Sequence, residues 1–324
     1  MKLLLPAEYV AQATECVDKA TSRVYLLSMV LADHTATHTL VDAIERAARR
    51  GVKVVVAADI FTFGEVTTGF LPFSYYSPGG KETASMVKIL RKAGVKFHWL
   101  GRGRVTIVNG RTHSKWCIVD DTVFSFGGVN TYEGGIENVD YMFRITNERV
   151  ADRLVDEQER IQSTDKSASN HPSISHEFVD FSVLLDGGFI GQSIIYRRAC
   201  ELAKEAIAIT FVSQYCPTGK LARLLKKNNT TFYFNKPNQA TALNKAVLTV
   251  SIALSGLKTS YERDTYLHAK CIIFTMSDGS KVAISGSHNF AYAGVILGTR
   301  EVAIETNEPA IIAQLESFVK NHVA

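Results

Sequence analysis

His113 and Lys115 stand two residues apart, Asp120 follows after four more residues, and Asn130 closes the stretch behind Gly127-Gly128-Val129. An imidazole changes charge near neutrality, so it can attack an electrophile or carry a proton, while an ammonium and a carboxamide can hold anionic oxygens. The same set returns downstream as His268, Lys270 and Asn289, with Gly286-Ser287 before the asparagine and a cysteine within two places of each lysine, Cys117 and Cys271. Each copy owns one motif imidazole. A reaction that needs both a nucleophile and a proton donor therefore needs both copies, and the site is expected where the two halves of the chain meet.

The doubled His-x-Lys pattern with its trailing Gly-Gly/Ser-x-Asn resembles the phospholipase D superfamily, and the resemblance reaches both halves of the chain. It implies a duplicated α/β fold about a pseudo-twofold axis and attack on phosphorus through a covalent phosphohistidine. By similarity to relatives, His113 is the nucleophile and His268 the general acid and base. Lys115, Lys270, Asn130 and Asn289 would hold the non-bridging oxygens, whose charge grows in the transition state. Gly128, Ser287 and His288 fall within the substrate-binding segments.

Each imidazole needs an acceptor on its second nitrogen to fix its tautomer. Asp140, 27 residues past His113, and Glu301, 33 past His268, are the candidates by matched spacing, with Glu137 the alternative in the first half. Asp120, a supporting group in relatives, is Thr275 in the second copy. Asp278, in a four-residue insert, reads as an Asp-Gly turn rather than a replacement. The motif needs no metal or cofactor, because the lysines supply positive charge and the histidines show no ligand spacing; His34 and His38, four apart, lack a third partner.

The elements that must position these residues alternate between helix and strand. Apolar spacing predicts helices over 6–20, 39–50, 81–93 and 148–161, and strands over 23–31, 52–58, 95–100 and 139–145. The His-x-Lys run itself reads as strand, with both side chains on one face. Helix 192–204, strand 206–213, helix 218–227 and strand 230–234 replay the beginning, so the class is α/β with a duplication. The expected organisation is a first half over 1–165, a Ser- and Asn-rich linker over 166–176 and a second half over 177–324.

The chain's 46% hydrophobic content supports a packed core, and its net charge of +4, from 36 Lys and Arg against 32 Asp and Glu, falls short of a dedicated nucleic-acid binder. Five cysteines without a Cys-x-x-Cys pair favour a reducing compartment, and no apolar run reaches the length of a membrane span, which together predict a cytoplasmic protein. Residues 60–80 carry six aromatics and no basic residue. This stretch reads either as an Ω-loop or as a lipid-facing flap for peripheral membrane contact. Arg102, Arg104 and Arg111 read either as a head-group site or as a solvated turn. The favoured partner is a phospholipid, turned over by a phospholipase D or cardiolipin-synthase-like enzyme; the alternative is a nuclease.

Overall fold

The computed structural model describes residues 1–66, 76–101, 111–166, 169–240 and 242–324, apart from the side chains of residues 166, 242 and 243. Its first part runs β1 (Lys2–Leu4), α1 (Pro6–Lys19), β2 (Arg23–Ser28), α2 (His38–Arg49), β3 (Lys53–Asp59), α3 (Thr62–Glu65), α4 (Pro78–Lys92), β4 (Lys96–Leu100), β5 (Trp116–Val119), β6 (Thr122–Ser125), α5 (Glu133–Glu137), β7 (Met142–Thr146) and α6 (Glu148–Lys166). The second runs β8 (Ile174–Glu177), β9 (Phe181–Gly187), α7 (Ile194–Glu205), β10 (Ala208–Val212), α8 (Gly219–Lys227), β11 (Asn229–Tyr233), α9 (Ala242–Ser255), β12 (Cys271–Thr275), β13 (Lys281–Gly286), α10 (Tyr292–Leu297), β14 (Arg300–Thr306) and α11 (Pro309–Phe318).

Among the described residues the strands form two seven-stranded mixed sheets, ordered β1-β7-β6-β5-β2-β3-β4 and β11-β10-β12-β13-β14-β9-β8. Read in reverse, the second order overlays the first: β9, β14, β13, β12, β10 and β11 stand where β1, β7, β6, β5, β2 and β3 do. The directions agree as well, since β2 and β10 each pair in parallel with the next strand outward and antiparallel with β5 or β12. This is the duplicated α/β fold that the repeated motif predicts. β4 and β8 are the strands without a counterpart.

The middle positions of β2, β3, β5 and β12 are almost all apolar because both faces are covered. Val24 and Leu26 of β2 face a core shared with α1, α2 and α4, whereas Tyr25 and Leu27 face a second core that continues into β9, β12, β14 and α11. That second core joins the two sheets; in it Tyr141 meets Phe318 edge-on at 4.7 Å between ring centroids. A third core lies beyond the second sheet, under α7 and α8. Local signals set the helix starts: Pro6 opens α1 while Glu8 accepts from the Leu5 backbone N–H, and Ser77 caps α4 by accepting from Gly80 N–H.

Three expectations change. His113 and Lys115 precede β5 instead of lying in it, because their backbone pairs with the other half of the chain. The 60–80 stretch is not one loop: Thr62–Glu65 is helical, Pro78 already opens α4, and Phe63 is buried against Trp99, ring centroids 4.9 Å apart. Phe70, Phe73 and Tyr75 lie outside the described residues, as do Arg102 and Arg104. Arg111 is neither a solvated turn nor a free cation; it is buried and its Nη1 donates to Asp59 Oδ1 at 2.8 Å. No helix among the described residues is long and apolar enough to cross a membrane.

Candidate active site

The site is assembled by two backbone clamps, one from each sheet. The N–H groups of His113 and Ser114 both donate to Arg300 O, at 2.8 and 3.1 Å, and those of His268 and Ala269 both donate to Val139 O, at 2.9 and 3.0 Å. Each clamped carbonyl belongs to the residue just before a carboxylate. Glu301 is thereby delivered to His113, Nδ1 to Oε1 3.2 Å, and Asp140 to His268, Nδ1 to Oδ2 2.7 Å. The two carboxylates pair with the imidazoles of the opposite half, the reverse of the within-half pairing that the spacing suggests. Glu137, the alternative acceptor, ends α5 as an exposed side chain and touches neither imidazole.

With Nδ1 engaged, Nε2 is the nitrogen each imidazole has left. Both histidines line one cavity of about 530 Å³, together with Lys115, Lys270, Asn130, Asn289 and His288. Each lysine is buried and turns back to its own motif, Lys115 Nζ donating to His113 O at 2.6 Å and Lys270 Nζ to His268 O. Burial lowers both ammonium pKa values, to about 8 for Lys115 and about 7 for Lys270, against the opposing pull of Asp140 and Glu301. Burial and the Lys270 charge push His268 down to about 4, leaving a neutral imidazole at pH 7. Burial works the other way on Glu301, yet His113 beside it holds that carboxyl at about 2. Asp140 is likewise held below the ordinary range by His268, Lys270 and the Tyr141 N–H, although its burial opposes this.

Small residues allow this packing. Gly128 N–H donates to Asp140 Oδ1 at 3.1 Å, and a Cβ there would sit 2.6 Å from Asp140 Oδ2 and 2.9 Å from Lys270 Nζ. In the second half the longer Glu301 leaves room for a hydroxyl, and Ser287 Oγ donates to Glu301 Oε2. Asn130 Oδ1 accepts from Val30 N–H at 3.4 Å, while Asn289 Oδ1 is buried with no hydrogen-bond partner among the described residues. His288 Nδ1 accepts from Phe290 N–H at 2.8 Å, and burial lowers its pKa to about 4.

Asp120 does not join the site. It lies in the β5–β6 turn with φ 51°, a left-handed conformation that Asp tolerates, and accepts from the backbone N–H groups of Thr21, Ser22 and Arg23 and from the Thr21 and Ser22 hydroxyls. Burial would raise its pKa, but these bonds hold it at about 2. β5 carries the chain from the histidine to this turn at its far end. In the second copy, Thr275 ends β12 by pairing with Ala208 and Lys281, and the Asp278 side chain closes the following turn on Ser280. Asp120→Ala is therefore expected to lower the unfolding free energy by about 1–2 kcal/mol, read from the denaturation midpoint, with turnover per folded molecule retained.

His38 meets Asp33 and Asp42, and among the described residues there is no group of three potential metal ligands. Sequence reasoning passed over Arg300, whose carbonyl clamps His113 and whose buried guanidinium meets Asp165 at 3.2 Å; its place directly before the candidate carboxylate Glu301 was the available signal. It also passed over Tyr132 and Tyr266, which line the cavity two residues beyond Asn130 and two before His268.

Residues 14–162 match the family described as cardiolipin synthase, PLD-like domain, where PLD is phospholipase D. No curated protein matches the chain. Among solved structures, the phosphatidylserine synthase of Haemophilus influenzae Rd KW20 aligns with a TM-score of 0.74 at 15% identity, covering 100% of this chain and 86% of that one. The polyphosphate kinase of Porphyromonas gingivalis aligns with a TM-score of 0.63 at 10% identity, covering 98% of this chain and 46% of the kinase. At these identities the alignments speak for the fold alone. Residues 14–162 are thus matched as a phospholipase D-like domain, and the second half of the chain repeats its motif and the order of its sheet.

Proposed function

We propose that the protein is a phospholipid phosphodiesterase or phosphatidyltransferase, of the phospholipase D or cardiolipin-synthase-like kind, that works through a phosphohistidine. One observation carries the reading: two imidazoles, each tied through Nδ1 to a buried carboxylate, open into one cavity with two buried lysines. In the first step Nε2 of His113 bonds to phosphorus, the bond to the leaving oxygen breaks, and His268 as imidazolium gives that oxygen its proton. The phosphate charge between the lysines favours protonation of His268, which is neutral in the empty site. In the second step neutral His268 takes a proton from water or an alcohol, whose oxygen displaces His113 from phosphorus. The assignment of attack to His113 follows the resemblance to relatives.

Two features favour lipid. The matching family and the phosphatidylserine synthase are both named for phospholipids. On α9, Val250 and Leu254 are exposed on the helix face of Val247, which lines the cavity, so an apolar stripe leads away from the site. The test offers purified protein vesicles of phosphatidylglycerol and phosphatidylethanolamine, with and without glycerol, beside single-stranded and duplex DNA. Head-group release or exchange is expected without added metal. Cleavage of DNA with every phospholipid intact would overturn the lipid reading in favour of a nuclease.

The lysines make anion binding depend on pH in a defined direction. Both are charged below pH 7 and lose their protons as pH rises through about 7 and 8, so a bound anion must pull protons in over that window. Sulfate, which does not itself titrate there, is expected to bind about tenfold more weakly at pH 9 than at pH 6.5. Calorimetry in buffers of different ionisation enthalpy should register proton uptake near pH 7.5. Affinity independent of pH would remove Lys115 and Lys270 from the anion site.

A further inference from the structure

The two copies of the motif part company just before the asparagine. Where the first half has Val129, packed into the core with α1, α2 and α4, the second has His288, buried and lining the catalytic cavity. The backbone that follows differs too. In the first half Thr131 N–H donates to Val30 O at 3.1 Å. In the second, Phe290 has φ 53°, an unusual region for a bulky residue, and turns its N–H onto His288 Nδ1 at 2.8 Å. The carbonyl of the same peptide, Asn289 O, accepts from Ser213 Oγ at 2.9 Å. Phe290 is buried, with its ring centroid 6.0 Å from that of Phe211 and 5.4 Å from that of His288. Packing thus holds a strained backbone in place, and strain kept in this way collects at working sites.

The effect is to fix a tautomer. An imidazole that accepts a hydrogen bond at Nδ1 is neutral and carries its proton on Nε2. Burial acts in the same sense, because it disfavours the charged ring. The Nε2–H has no acceptor among the described residues, which is costly for a buried donor unless a ligand supplies one. The cavity lysines differ, since each Nζ already donates to the carbonyl of its own motif histidine. Ser287, the residue before His288, bonds Glu301, and the charges of Glu301 and His113 both act on the His288 ring. His288 therefore lies on the His113 side of the cavity.

We infer that His288 is a third imidazole of the reaction, whose Nε2–H donates to a non-bridging oxygen of the phosphoryl group carried by His113. The inference rests on the proposed phosphohistidine chemistry and adds a residue to it. His288 keeps its proton throughout. A neutral donor oriented before the substrate arrives serves oxygens whose charge grows during attack. Val129 offers no such donor to a phosphoryl group on His268, so the two ends of the cavity are unequal, and the inequality favours attack by His113.

The experiment follows the first turnover of bis(nitrophenyl) phosphate, whose leaving group needs no proton, by rapid quench of the full chain. In His288→Asn the Oδ1 can still accept from Phe290 N–H, but the amide is too short to replace the Nε2–H. This variant is expected to form the phosphoenzyme about 10²-fold more slowly, with sulfate affinity within about threefold of the wild type. His288→Phe, which keeps the ring volume, should lose as much. A wild-type rate in His288→Asn overturns the inference, and impairment of His288→Phe alone would make His288 a structural support of Phe290. The wild-type histidine nitrogen resonances give a reading that needs no variant. His288 should show the Nε2–H tautomer and shift when vanadate, a mimic of five-coordinate phosphorus, is added. An Nδ1–H tautomer, or an Nε2 signal that vanadate leaves unmoved, overturns the inference whether or not the variants fold. A wild type that forms no phosphoenzyme overturns the phosphohistidine chemistry and this inference together.

Discussion

Replacing either His113 or His268 with Ala is expected to lower phosphodiester turnover by at least about 10⁴-fold, with the double variant scarcely worse than either single one, because parts of one machine do not add. The two imidazoles line a single cavity, and each is held by backbone and carboxylate from the opposite half of the chain. Two independent sites would behave differently, each single variant keeping about half the activity. The same pair separates the roles. With a phosphodiester whose leaving group needs no proton, His268→Ala should still form the phosphoenzyme and then stall, whereas His113→Ala should form none. A phosphoenzyme in His113→Ala that is absent from His268→Ala would exchange the two assignments.

The second large effect concerns the carboxylates. Asp140→Asn and Glu301→Gln are each expected to lower turnover on the order of 10³-fold or more, since an amide no longer fixes the imidazole tautomer or stabilises the imidazolium. Their signature is crossed. Asp140→Asn should perturb the ring nitrogen resonances of His268 and spare those of His113, and Glu301→Gln should do the reverse, following contacts of 2.7 and 3.2 Å. A loss of turnover with neither imidazole spectrum altered would make the carboxylates structural supports. Perturbation of the histidine of the same half would contradict the crossed geometry directly.

Much of the architecture was legible because it is local. Val24 to Leu27 and Val54 to Ala58 are apolar at every position, which only a strand covered on both faces requires, and the flanking helices announce themselves by spacing and by Pro6 and Gly51. α9 had no such announcement. Val247, Val250 and Leu254 stay in solvent, so its pattern is not that of a helix burying one apolar stripe. Phe61 and Phe63 look alike in sequence, yet one lines the cavity and the other packs on Trp99, a distinction made by where β4 runs.

The chain's own letters determine the inventory of the site: two imidazoles, two lysines, two asparagines and the small residues before them, repeated because the chain is duplicated. They also determine that no half can suffice. What the tertiary structure alone decided is who partners whom. Spacing along one half measures distance on that half's own sheet, so it paired Asp140 with His113 and Glu301 with His268. The backbone carbonyls of Val139 and Arg300 instead accept from the motif of the opposite half, and the residue after each carbonyl follows it across. Asp120 falls on the other side of the same divide. It shares the motif with His113, but a strand rises about 3.3 Å per residue, so the four residues of β5 carry it away from the cavity to bind the start of β2.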